Sequence, residues 1–367
     1  MKILLFSGGF LEYMIELANA LSLQDGISSV MLVLPEKYVK EEQIKQINSK
    51  VIFKPFLFID YVSIRQNFKM TRQLIKLIND FNPDILHVQA DGQHPWFGLA
   101  LPFLKNCKIV NTVHDPAPHL GDKISTYRDM RFSKWMLKRY ADAYIVHGKT
   151  LKENLLKNYN GLKSEKIHIV PHGHLNMYRK FQQGGQKSEQ AENILFFGRI
   201  WEYKGLKYLM QAEPIIRKAI PNLKIVIAGK GEELSIYDEF IVNKDSYIIK
   251  NYAIPLAEVS DLFDEASLVV LPYIEATQSG VIPVAYPFCK PVVASAVGAL
   301  PEVVIDGKTG FLIPPADPQA LADKIIFLLL NPKIRHEMGL SAKRYSDEKL
   351  DWKEIAKTTL EIYSSLK

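Results

Sequence analysis

Two cationic side chains stand close together in residues 196–205, which read FFGRIWEYKG. An apolar run ends at Gly198, Arg199 and Lys204 follow, and a helical pattern begins at Leu206. Cations at the end of a buried strand cost stability unless an anion lies beside them. A planar guanidinium and a mobile ammonium that converge on one site suit a diphosphate. A pair of solvated surface cations is the alternative interpretation.

A dense polar cluster follows another apolar run in LPYIEATQSGVIP, residues 271–283. Its members are Glu275, Thr277, Gln278, Ser279 and Gly280. Polar side chains and free backbone N–H groups after a buried strand are what sugar hydroxyls and phosphate oxygens require. A helix cap formed by Ser279 is the alternative, and it accounts for one residue of the five.

Glycine pairs mark two further turns between a strand and a helix. Gly8 and Gly9 stand in SGGF, and Gly229 and Lys230 stand in AGKGEE. Glycine lets backbone N–H groups approach an anion at a helix N-terminus, where the helix dipole favours negative charge. A tight turn without a ligand is the alternative for both.

A proline-stiffened loop with titratable groups follows the strand pattern at residues 108–113. It reads TVHDPAPHLGD over residues 112–122, and its candidates are His114, Asp115, His119 and Asp122. Such a loop is typical of an active site. A single histidine is more often structural, and we expect His147 and His172 to include such cases.

Several common motifs are missing. HGKT (147–150) and DGKT (306–309) resemble the end of a phosphate-binding P-loop, but Ala143 and Glu302 stand where the leading glycine belongs. There is no G-x-G-x-x-G, H-E-x-x-H or G-x-S-x-G motif. There is also no D-x-D, the usual carboxylate grip on a metal-bound nucleotide sugar, so we expect no metal and no cofactor.

The elements that must position these residues alternate between short apolar runs and amphipathic stretches. Strands are predicted at 2–6, 29–34, 50–53, 84–88, 108–113, 143–147 and 167–170, and after residue 192 at 193–198, 223–229, 246–250, 267–272, 291–295 and 310–315. Helix-length segments such as 11–23, 62–81, 95–104 and 149–158 separate them. This alternation predicts α/β domains with parallel sheets covered on both faces.

The domain boundaries follow from the same pattern. Residues 181–192 lack apolar periodicity and are predicted to be a linker. It separates a Rossmann-like domain over 1–180 from a second one over 193–350, and a helical tail follows over 351–367. Two doubly wound domains would leave a cleft at the carboxyl ends of their strands, where such sheets bind ligands.

Length and composition fit this organisation. The chain has 367 residues, 47% of them hydrophobic and 23% charged, and no run of apolar residues long enough to span a membrane. Without a signal-peptide pattern the expected compartment is the cytoplasm. Cys107 and Cys289 are the only cysteines, so a disulfide framework is not expected.

The net charge of +6 is concentrated in residues 1–180, which carry 25 Lys and Arg against 16 Asp and Glu. A basic stripe on one predicted helix and the aromatic, basic segment YRDMRFSKWMLKRY (127–140) suit an anionic membrane surface or a lipid-phosphate acceptor. The residues concerned are Arg65, Lys69, Arg72, Lys76, Arg128, Arg131, Lys134 and Lys138. A solvated helix face is the alternative. Nucleic acid is not an expected partner, because no nucleic-acid-binding motif occurs.

Four blocks of the second half, in order and spacing, resemble the retaining nucleotide-sugar glycosyltransferases of family four, which have the GT-B fold. They are FFGRIWEYKG, IVIAGKGEE, EATQSGVIPVAY and KPVVASAVGALPEVVIDGKTGFLIPPADPQALA. SGG and TVHD fit the first domain of that family. Both domains of the fold are Rossmann-like, and the resemblance implies that the C-terminal helix near 352–365 crosses back to the first domain.

The resemblance also implies residue roles. Arg199 and Lys204 would hold the diphosphate of the donor without a metal, Glu275 would contact the donor sugar, and His114 would lie near the reacting carbon. The remaining donor-binding residues would be Gly8, Gly9, Gly198, Gly229, Lys230, Thr277, Gln278, Ser279 and Gly280. The chain departs from the family at Pro283 and Val284, which stand where relatives have a second glutamate that binds ribose.

The predicted function is therefore transfer of a sugar, with retention of configuration, from a nucleoside-diphosphate sugar to a glycan or lipid-linked acceptor. Surface polysaccharide or glycolipid biosynthesis is the expected setting, with peripheral contact to the inner face of the membrane. Two alternatives stay open. One is a nucleotide-sugar epimerase or a phosphorylase of the same fold, and the other is a catalytically inactive protein that binds the nucleotide sugar.

Overall fold

The computed structural model describes residues 1–57, 63–89, 95–116, 124–181, 185, 187–190 and 192–367, and the side chains of all of these except 95–96 and 124–131. The chain forms two compact units. The first contains the described residues up to Gly173 together with Asp351–Lys367, and the second contains His174–Leu350. The short 3₁₀ helix Asn176–Phe181 is thus part of the second unit, although the predicted boundaries put residues 176–180 in the first domain and residue 181 in the linker.

A parallel sheet forms the centre of the first unit. Its strands are β1 (Lys2–Ser7), β2 (Ser29–Pro35), β3 (Val51–Phe56), β4 (Ile85–Gln89), β5 (Lys108–Thr112), β6 (Ala143–Val146) and β7 (Ile167–Ile169). Their order in the seven-stranded sheet is β3-β2-β1-β4-β5-β6-β7. The chain therefore winds outward from β1 in one direction, and then from β4 in the other.

The strands β1, β2, β4 and β6 are buried along nearly their whole length, as is expected of a parallel sheet that helices cover on both faces. The helices of the first unit are α1 (Leu11–Leu21), α2 (Glu41–Ile44), α3 (Ile64–Phe81), α4 (Ile124–Tyr140) and α5 (Lys149–Asn158), with 3₁₀ helices at Pro95–Phe103 and Ser164–Lys166. The segment predicted as a helix at 95–104 is the first of these 3₁₀ helices, which contains Gly98 and Pro102.

The second unit repeats the architecture. Its strands are β8 (Asn193–Phe197), β9 (Lys224–Ala228), β10 (Tyr247–Lys250), β11 (Leu268–Leu271), β12 (Val292–Ser295) and β13 (Gly310–Ile313). They form a six-stranded parallel sheet in the order β10-β9-β8-β11-β12-β13. Alternate residues of β8 enter two different cores: Ile194 and Phe196 pack on one face of the sheet and Leu195 on the other.

The helices of this unit are α6 (Leu206–Ala219), α7 (Leu256–Glu265), α8 (Ile282–Ala285), α9 (Leu300–Val303), α10 (Pro318–Leu330) and α11 (Pro332–Lys349). Further 3₁₀ helices lie at Glu202–Lys204, Leu234–Phe240, Lys244–Ser246 and Tyr286–Phe288. Across the described part of the chain, no helix is both long enough and apolar enough to cross a bilayer.

The last helix, α12 (Trp352–Ser365), is part of the first unit. The Asp351 side chain caps it by accepting from the N–H of Lys353. Its buried face packs on α1, where the Trp352 ring lies edge-on to Tyr13 with ring centroids 5.0 Å apart. Gly173 leaves room for this ring, because a Cβ there would lie 2.3 Å from Trp352 Cε2.

Both sheets reverse their strand order once, between β1 and β4 and between β8 and β11. The crevice outside the carboxyl ends of two strands at such a reversal is where doubly wound folds bind ligands. Gly8 and Gly9 follow β1, Arg199 follows β8, and the cluster at 275–280 follows β11. The predicted fold class is confirmed, and these glycines, Arg199 and the cluster at 275–280 lie at the two reversal points.

Candidate functional site

The loop that carries Arg199 is fixed by a close backbone crossing. The Gly198 N–H donates to the carbonyl of Ala228 at 3.0 Å. Gly229 has a φ of +148°, and a Cβ there would lie 1.8 Å from the carbonyl oxygen of Gly198, so only glycine fits. The Ile200 N–H donates to the carbonyl of Lys230 at 3.2 Å. The loops after β8 and β9 are thus joined, with the exposed side chains of Arg199 and Lys230 on them.

A second crossing holds the turn that carries Lys204. Gly205 has a φ of +64°, and a Cβ there would lie 1.9 Å from the carbonyl oxygen of Pro272. The Ile274 N–H donates to the carbonyl of Tyr203 at 2.9 Å. The turn before α6 is therefore tied to the segment after β11, although about 70 residues separate them in sequence.

Two tyrosines, Tyr203 and Tyr273, contact the side chains of Arg199 and Lys204. A guanidinium nitrogen of Arg199, Nη2, donates to the hydroxyl of Tyr203 at 3.0 Å. The Lys204 Nζ lies 3.8 Å from the ring centroid of Tyr273 and 4.9 Å from that of Tyr203. Lys204 is only 8% exposed, and a cation over an aromatic face is stabilised more strongly when it is desolvated.

Arg199 and Lys204 are thus brought together, and their tyrosine partners are what sequence reasoning missed. Burial raises the pKa of Tyr273, while its hydrogen bond with Ser279 and the charge of Arg199 act in the opposite direction. The hydroxyl therefore stays protonated at neutral pH. Tyr203 could have been noticed in the sequence, because it stands directly before Lys204 in EYK (202–204). Its contact with Tyr273 could not, because that contact depends on the order of the strands in the sheet.

Two residues of the polar cluster after β11, Thr277 and Ser279, form hydrogen bonds within the protein. Ser279 Oγ accepts from the N–H of Val281 at 3.2 Å and lies 3.4 Å from the hydroxyl of Tyr273. The carbonyl of Thr277 accepts from the N–H of Ala299 at 3.2 Å. Thr277 and Ser279 are buried, the side chains of Glu275 and Gln278 are half-buried, and Gly280 is exposed. Ser279 does not cap the following helix, as the alternative interpretation expected: the N-cap residue of α8 is Val281, no side chain caps that helix, and Ser279 makes a local turn contact instead.

Pro283 and Val284, at the position where the family resemblance implies a second glutamate, are buried in α8. The carbonyl of Pro283 accepts from the N–H of Leu175 at 2.9 Å. Val284 belongs to the hydrophobic core on one face of the second sheet. This position serves packing in the chain and offers no polar side chain to a ligand.

In the first unit the glycine turn leads into α1. The N–H of Gly9 donates to Ser7 Oγ at 3.1 Å, so this N–H is occupied in the structure. Phe10 follows with a φ of +52°, a left-handed conformation that is unfavourable for a bulky residue. Its ring is stacked on the imidazole of His114 at 4.0 Å between centroids and an angle of 14°.

His114 lies just after β5 and is buried. Its Nε2 is 2.6 Å from the amide nitrogen of Gln89, the last residue of β4. Burial, and then the charges of His147 and His172, hold the pKa of His114 well below its usual range. The ring is therefore neutral at physiological pH. Asp115 beside it is half-buried.

His147 and His172, expected to be structural, form one cluster with His114 around Tyr13. Ring centroids of His147 lie 4.7 Å from His114 and 5.1 Å from His172. His147 Nδ1 pairs with the carbonyl of Val170 at 2.9 Å. Burial lowers the pKa of His147 to about 3 and that of His172 to about 4. Within the described ranges, no group of three or more His, Cys, Asp or Glu side chains is arranged to hold a metal ion.

The remaining candidates lie apart from these groups or cannot be placed. Arg65, Lys69, Arg72 and Lys76 are exposed on α3, and Lys76 forms an ion pair with Asp80 at 2.7 Å. Lys134 and Lys138 are half-buried on α4, where Lys138 donates to the carbonyl of Asn160. His119 and Asp122, and the side chains of Arg128 and Arg131, fall outside the described residues.

Comparison with known families identifies both halves of the chain. Residues 7–174 match the profile of the Glycosyltransferase Family 4 domain. Residues 191–331 match that of Glycosyl transferases group 1. The second match contains the Arg199 and Lys204 turn and the cluster at 275–280, and the first contains His114.

Two relatives illustrate the range of similarity. The alpha-maltose-1-phosphate synthase of Mycolicibacterium smegmatis is 27% identical over 246 residues, which is 61% of this chain and 63% of that protein. The D-inositol 3-phosphate glycosyltransferase of Paenarthrobacter aurescens is 25% identical over 317 residues, or 80% of this chain and 78% of that protein.

Solved structures agree on the fold. An Anabaena protein, HepE, in complex with UDP-glucose superposes with a TM-score of 0.73 over 100% of both chains at 18% identity. At this identity the likeness establishes the GT-B fold and nothing finer. The two family matches, which cover residues 7–174 and 191–331, show that this chain belongs to the group 1 and family 4 glycosyltransferases.

Proposed function

We propose that the protein is a metal-independent, retaining glycosyltransferase that passes a sugar from a nucleoside-diphosphate sugar to a hydroxyl of a glycan or lipid-linked acceptor. The observation that carries the proposal is the pairing of Arg199 and Lys204 by two tyrosines at the strand-order reversal of the second sheet. The Anabaena structure with UDP-glucose supports a nucleoside-diphosphate sugar as the class of donor.

In the proposed reaction the bond between the anomeric carbon and the diphosphate oxygen breaks, and the acceptor oxygen bonds to that carbon on the same face. The acceptor proton passes to the departing phosphate. Arg199 and Lys204 stabilise the negative charge that develops on the diphosphate, and the burial of Lys204 strengthens this effect. These two fixed cations supply the neutralisation that a metal ion provides in other transferases.

The other donor contacts in the proposal come from residues near the cation pair. Glu275 and Gln278, both half-buried, contact the sugar, and the exposed Gly280 contacts the phosphates or ribose. Pro283 and Val284 carry no carboxylate and are buried. In the proposal the ribose is therefore held without the second glutamate that the family resemblance implies. Gly8 and His114 are also proposed as donor contacts.

Thermal unfolding with UDP, GDP and ADP in the presence of a chelator tests the donor site. A ligand that binds only the folded protein stabilises it by about 2.7 kcal/mol at one hundred times its dissociation constant. We expect one diphosphate to raise the melting temperature, and Arg199→Ala to abolish the shift. Arg344→Ala, at an exposed position of α11, is the matched control. Absence of any shift would contradict the proposed donor site.

Product analysis separates transfer from its alternatives. A transferase consumes the donor only with an acceptor, and the NMR coupling of the anomeric proton in the product reports retention. An epimerase would release an isomerised sugar without an acceptor. A catalytically inactive protein would bind the donor and leave it intact.

We also propose that the first unit meets a lipid-linked acceptor at an anionic membrane surface, as in polysaccharide or glycolipid biosynthesis. Three neighbouring elements, α3, the 3₁₀ helix Pro95–Phe103 and α4, support this proposal. Asn79 of α3 donates to the carbonyl of Phe103 at 3.1 Å, and the N–H of Gly98 donates to Ser133 Oγ of α4 at 3.3 Å. These hydrogen bonds place the three elements side by side.

Their surface combines aromatic and basic side chains. Trp135 on α4 is 61% exposed, and Phe68 on α3 is 58% exposed, beside the cations of α3. Aromatic rings and lysines together are typical of helices that lie in a membrane interface. We expect the protein to sediment with phosphatidylglycerol vesicles at low salt, and Trp135→Ser to weaken this binding. Leu330→Ser, at a 59% exposed position of the second unit, is the control.

A further inference from the structure

Gln89 ends β4 at the strand-order reversal of the first sheet. It pairs in register with Ser7 of β1 on one side and with Thr112 of β5 on the other. The residue is fully buried, and its amide nitrogen lies 2.6 Å from Nε2 of His114. Its amide oxygen has no hydrogen-bond partner among the described residues. Buried polar atoms are normally hydrogen-bonded, and one that is not calls for an explanation. We take the contact with His114 to be the reason that an amide is buried here.

The contact fixes the proton of the imidazole. An amide nitrogen only donates, so Nε2 of His114 must accept. A neutral imidazole carries one proton, and that proton is then on Nδ1. The ring keeps Nδ1–H as its single donor.

Phe10 fixes the plane of the same ring. Its stacking distance of 4.0 Å and angle of 14° put it face to face with the imidazole, and Tyr13 meets His114 edge-on at 5.6 Å and 88°. The left-handed backbone of Phe10 is strained for a non-glycine residue, and such strain persists where the surroundings impose it, often at functional sites. The strained backbone of Phe10 is thus a second observation, independent of the Gln89 contact, which indicates that the orientation of the His114 ring has a functional role.

We propose that Gln89 and Phe10 are positioning residues that hold His114 as a neutral imidazole in one plane, with its proton on Nδ1. The part that His114 then plays in turnover rests on the proposed transferase function. A histidine held in the wrong tautomer lowers turnover by orders of magnitude in enzymes where this has been separated from geometry. The depressed pKa of His114 is consistent with a ring that works without becoming charged.

Histidine-selective ¹⁵N NMR of the full chain tests the tautomer without any activity. The His114 signals are assigned by their loss in His114→Phe. We expect a protonated Nδ1 and an unprotonated Nε2 in the wild type. Gln89→Glu places a carboxylate at Nε2, and we expect it to move the proton from Nδ1 to Nε2. A protonated Nε2 in the wild type would mean that Gln89 accepts instead, and would overturn the proposal.

Kinetics test the positioning role. We expect Gln89→Glu to lower kcat at least about 10-fold while the KM for the donor stays within about twofold. Phe10→Gly is the sharper variant, because glycine relieves the strained backbone while the stacking ring is lost. We expect it to lower kcat with an unchanged or raised melting temperature, which a merely structural role would not produce.

The control is Gln43→Met, which removes another buried glutamine of the first unit, one that donates to Glu12 at 2.8 Å. It should cost stability and leave kcat unchanged. Unchanged kcat in both Gln89→Glu and Phe10→Gly would overturn the positioning role. A wild type that transfers no sugar would instead refute the proposed function, and the NMR result would still decide the tautomer.

Discussion

Buried histidines should make the first unit sensitive to acid. Burial lowers the pKa of His87 and of His147 to about 3 and that of His172 to about 4, from an ordinary value of 6.5. The unfolded chain therefore binds protons below pH 6.5 that the folded chain does not bind. The stability from keeping these rings neutral is fully present above pH 6.5 and is lost as the pH falls toward 4 and then 3.

The magnitude follows from the size of these shifts. At pH 5, which is about 1.5 units below the unfolded pKa, each of the three histidines costs about 2 kcal/mol of unfolding free energy. Together they cost about 6 kcal/mol, with a slope near 4 kcal/mol per pH unit, and His114 acts in the same direction. A typical domain has a total stability of about 5–15 kcal/mol, so the first unit should be close to unfolding at pH 5.

Urea unfolding between pH 8 and pH 5, followed by the fluorescence of Trp352 in a variant whose other three tryptophans are replaced by phenylalanine, measures this slope. Trp352 is buried beside Tyr13 in the first unit and reports on the region of the histidine cluster. His87→Met removes one titrating ring and should reduce the slope by about 1.4 kcal/mol per pH unit. His336→Gln, at an exposed position of α11, is the control. A free energy that is flat from pH 8 to pH 5, or a slope that His87→Met leaves intact, would refute the reasoning.

Three substitutions test the contacts of the second unit. Gly229→Ala puts a Cβ 1.8 Å from a carbonyl oxygen of the loop after β8 and should cost at least about 3 kcal/mol in urea unfolding, whereas Gly307→Ala, with φ +70° and open space, should cost about 1 kcal/mol. Tyr203→Phe removes the 3.0 Å hydrogen bond to Arg199 and should weaken nucleoside-diphosphate binding up to about 10-fold by calorimetry; unchanged affinity would mean that this bond does not orient the guanidinium. The Glu189 carboxylate forms ion pairs with the buried side chains of Lys290 at 3.2 Å and Arg335 at 2.9 Å. Glu189→Gln removes the negative charge and should lower the free energy of unfolding by about 3 kcal/mol, so a loss below about 1 kcal/mol would contradict the role of these ion pairs.

The sequence predicts the fold well because the fold depends on local pattern. All thirteen predicted strands are present, with ends that differ by at most three residues. Near-continuous apolar runs such as KILLF belong to strands buried on both faces, and the helices between them force parallel pairing. The positions of Arg199 and of the cluster at 275–280 at strand ends follow directly from this pattern.

What the sequence does not predict depends on strand order. Tyr203 and Tyr273 meet because β8 and β11 are neighbours in the sheet, although they are not consecutive in the chain. His114, His147 and His172 meet because they follow β5, β6 and β7, which lie side by side. No periodicity in a single chain identifies such pairs, since periodicity reports which face is buried and not which strand is adjacent.

The two units handle charge in opposite ways, and the difference follows from the residue types. In the second unit the hydroxyl of Tyr203 accepts from the guanidinium of Arg199, and the ring of Tyr273 lies against the ammonium of Lys204. In the first unit imidazoles are kept neutral by burial against one another. Fixed cations suit the stabilisation of a developing phosphate charge, whereas a neutral imidazole of fixed tautomer suits a directed hydrogen bond. A substitution that neutralises Arg199 should therefore act on donor binding, and one that frees the His114 ring should act on turnover.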